Sequence, residues 1–164
     1  EIVPAFAAAI RLLALTGARR AEILELRWSE VDLDRARIVL PRERSKTGEK
    51  IIPLTTIACD LIKAQPKSKD FVFPGRGGRG PLIGVSHRWA TVRARAKLPG
   101  LRMHDLRHSF ASFAVANGAS LFLVGKALGH TQATTTERYA HLADDPVRAV
   151  AESVAQRILG SKPG

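Results

Sequence analysis

The chain has 164 residues, 45% hydrophobic and only 5% aromatic, which suits one globular domain with a core of Leu, Ile, Val and Ala and excludes a disordered chain. Lys and Arg number 26 against 15 Asp and Glu, a net charge of +11 spread along the whole chain, so a polyanionic partner is expected, nucleic acid first. Cys59 is the single cysteine, which excludes an intrachain disulfide and fits the reducing cytoplasm.

No run of residues approaches the roughly 20 apolar positions of a membrane helix, and the five histidines, at 87, 104, 108, 130 and 141, have no zinc spacing. Residues 3–15 carry apolar side chains at helical spacing, so the chain opens on an amphipathic helix rather than a signal peptide. It has no initiator Met, which reads as a fragment with its N-terminus missing. Thr-Gly-Ala-Arg at 16–19 turns the chain, and a short helix is expected over 21–28, with Glu22 near its positive end. The period then changes. Residues 36–40 and 50–54 read as strands rich in Ile, Val and Leu, joined by the long basic tip 41–49 into a β-hairpin.

A helix is expected over 55–64, a Gly- and Pro-rich loop over 66–81 around a short Phe-Val-Phe strand, and a basic helix over 84–97. The remainder reads as helical. One helix over 104–118 stops at Asn-Gly, the next over 120–130 starts at a Ser cap and stops at Gly129-His130, and a short one follows over 134–142. A last helix over 144–159 opens on two Asp and a Pro. The fold class is therefore mostly α with a small antiparallel sheet in the N-terminal third, an α+β helical bundle.

Several groups suit phosphate chemistry when taken together. His104 and Arg107 stand at i and i+3 in the first turn of a helix, on one face, where free N–H groups and the dipole favour an anion. Arg19 follows Thr-Gly-Ala at a helix entrance, Lys46 lies at the hairpin tip, His130 closes a helix, and Tyr139 is the single tyrosine. Each alone is commonplace: a solvated cation, a C-terminal cap, a packing residue. As a set they supply the parts of metal-free phosphoryl transfer. Arg19 and Arg107 hold the two non-bridging oxygens. Tyr139 attacks in line and forms a covalent intermediate. A phenol with a pKa near 10 needs a base, for which His104 is the candidate. Lys46 protonates the leaving 5′ oxygen, and His130 bonds a non-bridging oxygen.

The same residues carry a resemblance. TGARRAEILELRW (16–28), SKTGEKIIPL (45–54), HDLRHSFAS (104–112) and LGHTQATTTERYAHL (128–142) resemble, in order and spacing, four boxes of the phage integrase, or tyrosine recombinase, family. The resemblance implies the family's catalytic domain over 1–164, without the N-terminal domain that clamps the other side of the DNA. It implies Arg19 as the first catalytic arginine, Glu22 as the acid supporting it, and Lys46 as the catalytic lysine with Lys50 as second candidate. His104, Arg107, His130 and Tyr139 match the remaining positions. The implied reaction is site-specific cleavage and rejoining of double-stranded DNA through a 3′-phosphotyrosine, with no metal, ATP or other cofactor. The implied assembly is a homotetramer on DNA and a monomer without it.

Arg88, Arg93 and Arg95 in the basic helix are candidates for DNA contact, to phosphate before base. Val147, Val150, Val154 and Ile158 form a stripe on the last helix, which in the resembled family docks into a neighbouring subunit. Three other readings compete: a type IB topoisomerase-like DNA relaxation, a DNA-binding module that does not cut, and an RNA-binding protein with a similar basic surface.

Overall fold

The computed structural model describes residues 4–45, 48–67, 70–130, 134–142, 151 and 154–157. It is mostly helical, with one small sheet, as the sequence leads one to expect. Helix α1 (Pro4–Thr16) buries Phe6, Ala9, Leu13 and Thr16, one stripe at spacings of three and four. It packs against α2 (Arg20–Leu24), α3 (Thr56–Lys63) and α5 (Asp105–Ala116). The end of α1 is set by Thr16, whose hydroxyl donates to the Leu12 carbonyl at 2.7 Å and accepts from the Ala18 amide at 3.3 Å. Gly17 follows at φ +61°, and a β-carbon there would stand 2.6 Å from the Phe110 ring. This close approach lays the α1–α2 turn directly on α5.

Helix α2 is shorter than its apolar pattern suggests: it stops at Leu24 rather than running to Trp28. Residues 26–28 instead pair with 70–72, the Trp28 amide donating to the Asp70 carbonyl and the Val72 amide to the Leu26 carbonyl, both at 2.9 Å. Those long-range bonds compete with helix continuation, and fully buried Leu26 anchors the extended arrangement. The expected Phe-Val-Phe strand thus reduces to a single bridge, Arg27 to Phe71.

The sheet has three strands, β1 (Val31–Asp32), β2 (Arg37–Leu40) and β3 (Lys50–Pro53), antiparallel in that order. The hairpin of β2 and β3 lies where the sequence puts it; two-residue β1 is too short to give an alternating pattern. Register pairs Ile38 with Ile52 and Leu40 with Lys50. Ile38, Leu40, Ile52 and Lys50 are all buried, so a lysine occupies an inward position of the sheet. The hairpin tip contains a 3-10 turn at Arg42–Arg44, and Lys46 lies outside the described residues.

Helix α3 is capped by Thr55, whose hydroxyl accepts from the Ala58 amide at 3.2 Å. Helix α4 (Val85–Arg95) is the expected basic helix and is tied down by Trp89, whose indole N–H donates to the Leu101 carbonyl at 2.9 Å. Together with α1, α2, α3 and the sheet it closes the larger of two apolar clusters. The smaller cluster contains Ala111 and Val115 of α5, Val124 and Leu128 of α6 (Leu121–Leu128), and Tyr139. Helix α7 (Thr134–Glu137) is a single turn, followed by a 3-10 turn at Ala140–Leu142 rather than a continuous helix to 142.

Of the last expected helix, Ala151 and Val154–Arg157 are helical, and Val154 is 51% exposed. Val147, Val150 and Ile158 lie outside the described residues. Among the described residues no helix is long and apolar enough to cross a membrane.

Candidate active site

Of the polar groups singled out by the sequence, Arg19, Arg107, His130 and Tyr139 converge on the seam between the two clusters, and Lys46 lies outside the described residues. Arg107 projects from the first turns of α5 and is buried. Its Nη1 donates to the Gly17 carbonyl at 2.6 Å and its Nη2 to the Leu128 carbonyl at 2.8 Å. Arg19 reaches the same strip of backbone, its Nη2 donating to the Gly129 carbonyl at 3.2 Å. Two guanidinium groups therefore grip consecutive carbonyls just ahead of His130. The α1–α2 turn supplies one and α5 the other, and Gly129 at φ +70° turns α6 back over both.

Glu22 is the counterion of this pair. It is 2% exposed and accepts from the Arg19 amide at 2.7 Å, from Arg19 Nη1 at 3.0 Å and from Lys50 Nζ at 2.8 Å. Burial pushes its carboxyl up, but the bonds from Lys50 and the Arg19 amide, with the Lys50 charge, together outweigh burial and hold it below the usual carboxylate range. Burial lowers Lys50 in turn, against the pull of Glu22. Arg107 is lowered by burial first and then by the charge of Arg19, a repulsion that an anion between them would relieve.

His130 reports the resulting field. Its pKa falls from 6.5 to about 4, through burial first and then through the charges of Arg107, Arg19, Arg138 and Lys50. The imidazole is neutral at pH 7, and its Nδ1 lies 2.9 Å from the hydroxyl of Thr136, itself buried. Because the folded value lies below the unfolded one, the unfolded chain takes up the proton first as pH falls. Stability is then fully present above pH 6.5 and lost as pH falls toward 4. His104 and His108, both lowered chiefly by burial, act in the same direction. We expect the melting temperature to fall across that window and His130→Gln to remove part of the fall; a flat wild-type profile in thermal melts at stepped pH would contradict it.

Thr136 depends on Gly125 in α6. A β-carbon at Gly125 would stand 2.7 Å from the Thr136 hydroxyl oxygen. Gly→Ala inside a helix ordinarily stabilises by about 1 kcal/mol. Here the steric term is expected to win: Gly125→Ala should destabilise by about 1–3 kcal/mol, seen as a lowered melting temperature, and should displace Thr136 from His130.

Tyr139 is buried beside α5, and its hydroxyl lies 2.5 Å from Nδ1 of His108. Burial raises its pKa, against the charges of Arg138 and Arg107. His104 stands one turn before His108, their rings edge to face with centroids 4.9 Å apart. The tyrosine hydroxyl thus bonds to His108, a residue sequence reasoning passed over. The signal was available: His108 adjoins Arg107 and shares a helical face with His104 at i+4. Thr136 was likewise not read as part of the site's frame, and Lys50, the second candidate for the catalytic lysine, is buried against Glu22 at 2.8 Å.

Arg88, Arg93 and Arg95 all lie on α4, with Arg88 Nη1 bound to the Ile83 carbonyl. Among the described residues no group of three or more His, Cys, Asp or Glu is placed to hold a metal ion.

The model of the phage integrase family matches residues 5–145. The chain is 33% identical over 144 residues to prophage integrase IntF of Escherichia coli (strain K12), covering 83% of this chain and 30% of that protein. It is 30% identical over 142 residues to the integrase of Salmonella phage P22, covering 78% and 37%. It therefore spans about a third of the length of these relatives. Among solved structures, the catalytic domain of bacteriophage HP1 integrase superposes with a TM-score of 0.66 at 27% identity, over 88% of this chain and 79% of that one.

Proposed function

Since the chain belongs to the phage integrase family, we propose that it is the catalytic domain of a site-specific recombinase that cuts and rejoins double-stranded DNA through a covalent bond to Tyr139. The observation that carries this reading is the cation field around one buried phenol. Burial first, and then the charges of Arg107, Arg19, Arg138 and Lys50, hold His130 at a pKa of about 4, and the cations that contribute to that shift suit a phosphodiester with developing negative charge.

Each guanidinium has five N–H donors. Two of those on Arg107 are spent on the Gly17 and Leu128 carbonyls, which fixes its plane and leaves three for the non-bridging oxygens. Arg19, clamped by Glu22 and the Gly129 carbonyl, approaches the same phosphate from the other side. With its ring hydrogen on Nε2, His130 accepts from the Thr136 hydroxyl at Nδ1 across 2.9 Å and donates to a phosphate oxygen. Tyr139 attacks phosphorus and displaces the 5′ oxygen, and its own proton passes to a neighbouring histidine base. Lys46 protonates the leaving oxygen. The phosphotyrosine keeps the energy of the broken bond, so the hydroxyl of a second strand reverses the step and exchanges partners.

The proposed partners are duplex DNA and, on that DNA, three further copies of the chain, with the clamp on the opposite face supplied by a further domain; the site of action is the cytoplasm. The test is covalent capture. The protein is incubated with a pool of end-labelled, nicked duplexes of randomised sequence, and captured DNA is amplified and sequenced. A protease-sensitive band on a denaturing gel, enriched for one sequence and leaving a free 5′ hydroxyl, is expected. DNA binding without such a band would reduce the protein to a binding module. Relaxation of plasmids lacking the captured sequence would favour the topoisomerase-like reading.

A further inference from the structure

We propose that His108, rather than His104, is the general base that takes the Tyr139 proton during strand cleavage. This inference rests on the recombinase reading above and names a catalytic group within it. Its ground is contact: the hydroxyl oxygen of Tyr139 lies 2.5 Å from His108 Nδ1, within reach of direct proton transfer. The His104 ring meets the edge of His108 and makes no hydrogen bond among the described residues. Geometry therefore puts His108 next to the reacting atom and His104 behind it.

The protonation states agree with this order. Burial, with Arg138, Arg102 and Arg107, keeps His108 below its ordinary value against the opposing charge of Asp105, so the ring is neutral at pH 7. Burial likewise keeps Tyr139 protonated. The transfer uses the tautomer with the ring hydrogen on Nε2, in which the Tyr139 hydroxyl donates and His108 Nδ1 accepts. The groups facing His108 are thus Asp105 and Arg107 on α5, His104 and Arg102 before it, and Arg138 and Tyr139 after α7.

The step balances. The Tyr139 O–H bond breaks and its proton moves to Nδ1 of His108. The phenolic oxygen bonds phosphorus, the bond from phosphorus to the 5′ oxygen breaks, and that oxygen takes a proton from the general acid. The phosphodiester carries the same charge before and after, and His108 holds the extra proton as imidazolium. On rejoining, the imidazolium returns the proton to the departing tyrosine oxygen. Asp105 on the same helix offsets the transient charge.

The experiment measures single-turnover cleavage of the captured nicked duplex from about pH 5 to about pH 9 for wild type, His108→Asn, His108→Ala and His104→Asn. Asparagine can keep the hydrogen bond but cannot take the proton. His108→Asn is expected to cleave on the order of 100-fold more slowly near neutral pH, with unchanged melting temperature and DNA binding. Its rate should climb about tenfold per pH unit, because the tyrosine must now ionise unaided. Free imidazole should restore part of the His108→Ala rate, and His104→Asn should keep the wild-type pH profile. If His108→Asn cleaves within about threefold of wild type, or keeps its pH profile while imidazole restores nothing to His108→Ala, the assignment is overturned. If wild type itself forms no adduct, the recombinase reading fails first and takes this assignment with it.

Discussion

Tyr139→Phe is expected to abolish covalent capture of DNA while leaving the fold almost untouched. The ring of Tyr139 is part of the smaller apolar cluster, with Ala111, Val115, Val124 and Leu128. Phenylalanine keeps that ring and removes one hydroxyl, whose bond to His108 contributes about 0.5–1.5 kcal/mol. The chemical consequence is far larger. Tyr139 is the single tyrosine of the chain, and removing a covalent nucleophile costs on the order of a millionfold in rate. Arg19, Arg107 and His130 keep their own partners, none of which involves Tyr139, so DNA binding should stay within about twofold of wild type, a change below roughly 0.4 kcal/mol. The denaturing gel, a melt and a binding isotherm check the three parts. A protease-sensitive adduct that persists in the phenylalanine variant would mean another residue attacks, and the mechanism above would be wrong.

What the sequence discloses and what it conceals divides along locality. The stripe of Phe6, Ala9, Leu13 and Thr16 is visible because a helix repeats every three or four residues, and Gly129 marks the end of α6 because a left-handed residue closes a helix cheaply only when it is glycine. The over-long helix at 21–28 has the opposite origin. Its apolar spacing is genuine, yet Leu26 and Trp28 form hydrogen bonds with residues more than 40 positions downstream, and local periodicity carries no information about those.

The site follows the same rule. Arg19, Glu22, Arg107, His130 and Tyr139 are legible as types in boxes, but the atoms they grip are mostly backbone carbonyls, Gly17, Leu128 and Gly129. Any residue supplies a carbonyl, so no side-chain pattern foretells these bonds. The pairing of His108 with Tyr139 joins residues 31 apart across two turns, and only the packing of the smaller cluster brings them together. Lys50 was open to inference in part. It alternates with Ile52 on the inward face of β3, and a lysine in an inward register demands a buried acid. Which acid it would be depended on the fold.

That buried acid gives the second large effect, and it separates the two lysines of the hairpin. Glu22 and Lys50 are 2% and 6% exposed and 2.8 Å apart. Removing one member of such a pair leaves a buried charge uncompensated, at a cost of about 3–5 kcal/mol. At about 2–4 °C per kcal/mol for a chain of this size, Glu22→Gln should lower the melting temperature by roughly 6–20 °C. Lys50→Met should cost less, because Arg19 still serves Glu22 through its amide and guanidinium. The double variant Glu22→Gln, Lys50→Met should be more stable than Glu22→Gln alone, with a coupling above about 1 kcal/mol. Strict additivity in a thermal or denaturant melt would refute the pair.

The pH dependence follows from the lowered carboxyl. The contribution of Glu22 is present above pH 4.5 and disappears as pH falls through its depressed folded value, so the Glu22→Gln variant should lose that part of the acid transition. Cleavage then distinguishes the lysines. Glu22→Gln should slow it, because Arg19 loses its clamp. Lys50→Met should leave folded protein that still cleaves, whereas Lys46→Ala should melt like wild type and cleave on the order of 100-fold or more slowly, the loss of a general acid. If the two lysine variants exchange phenotypes, Lys50 protonates the leaving oxygen and its ion pair with Glu22 is a resting state that DNA must open.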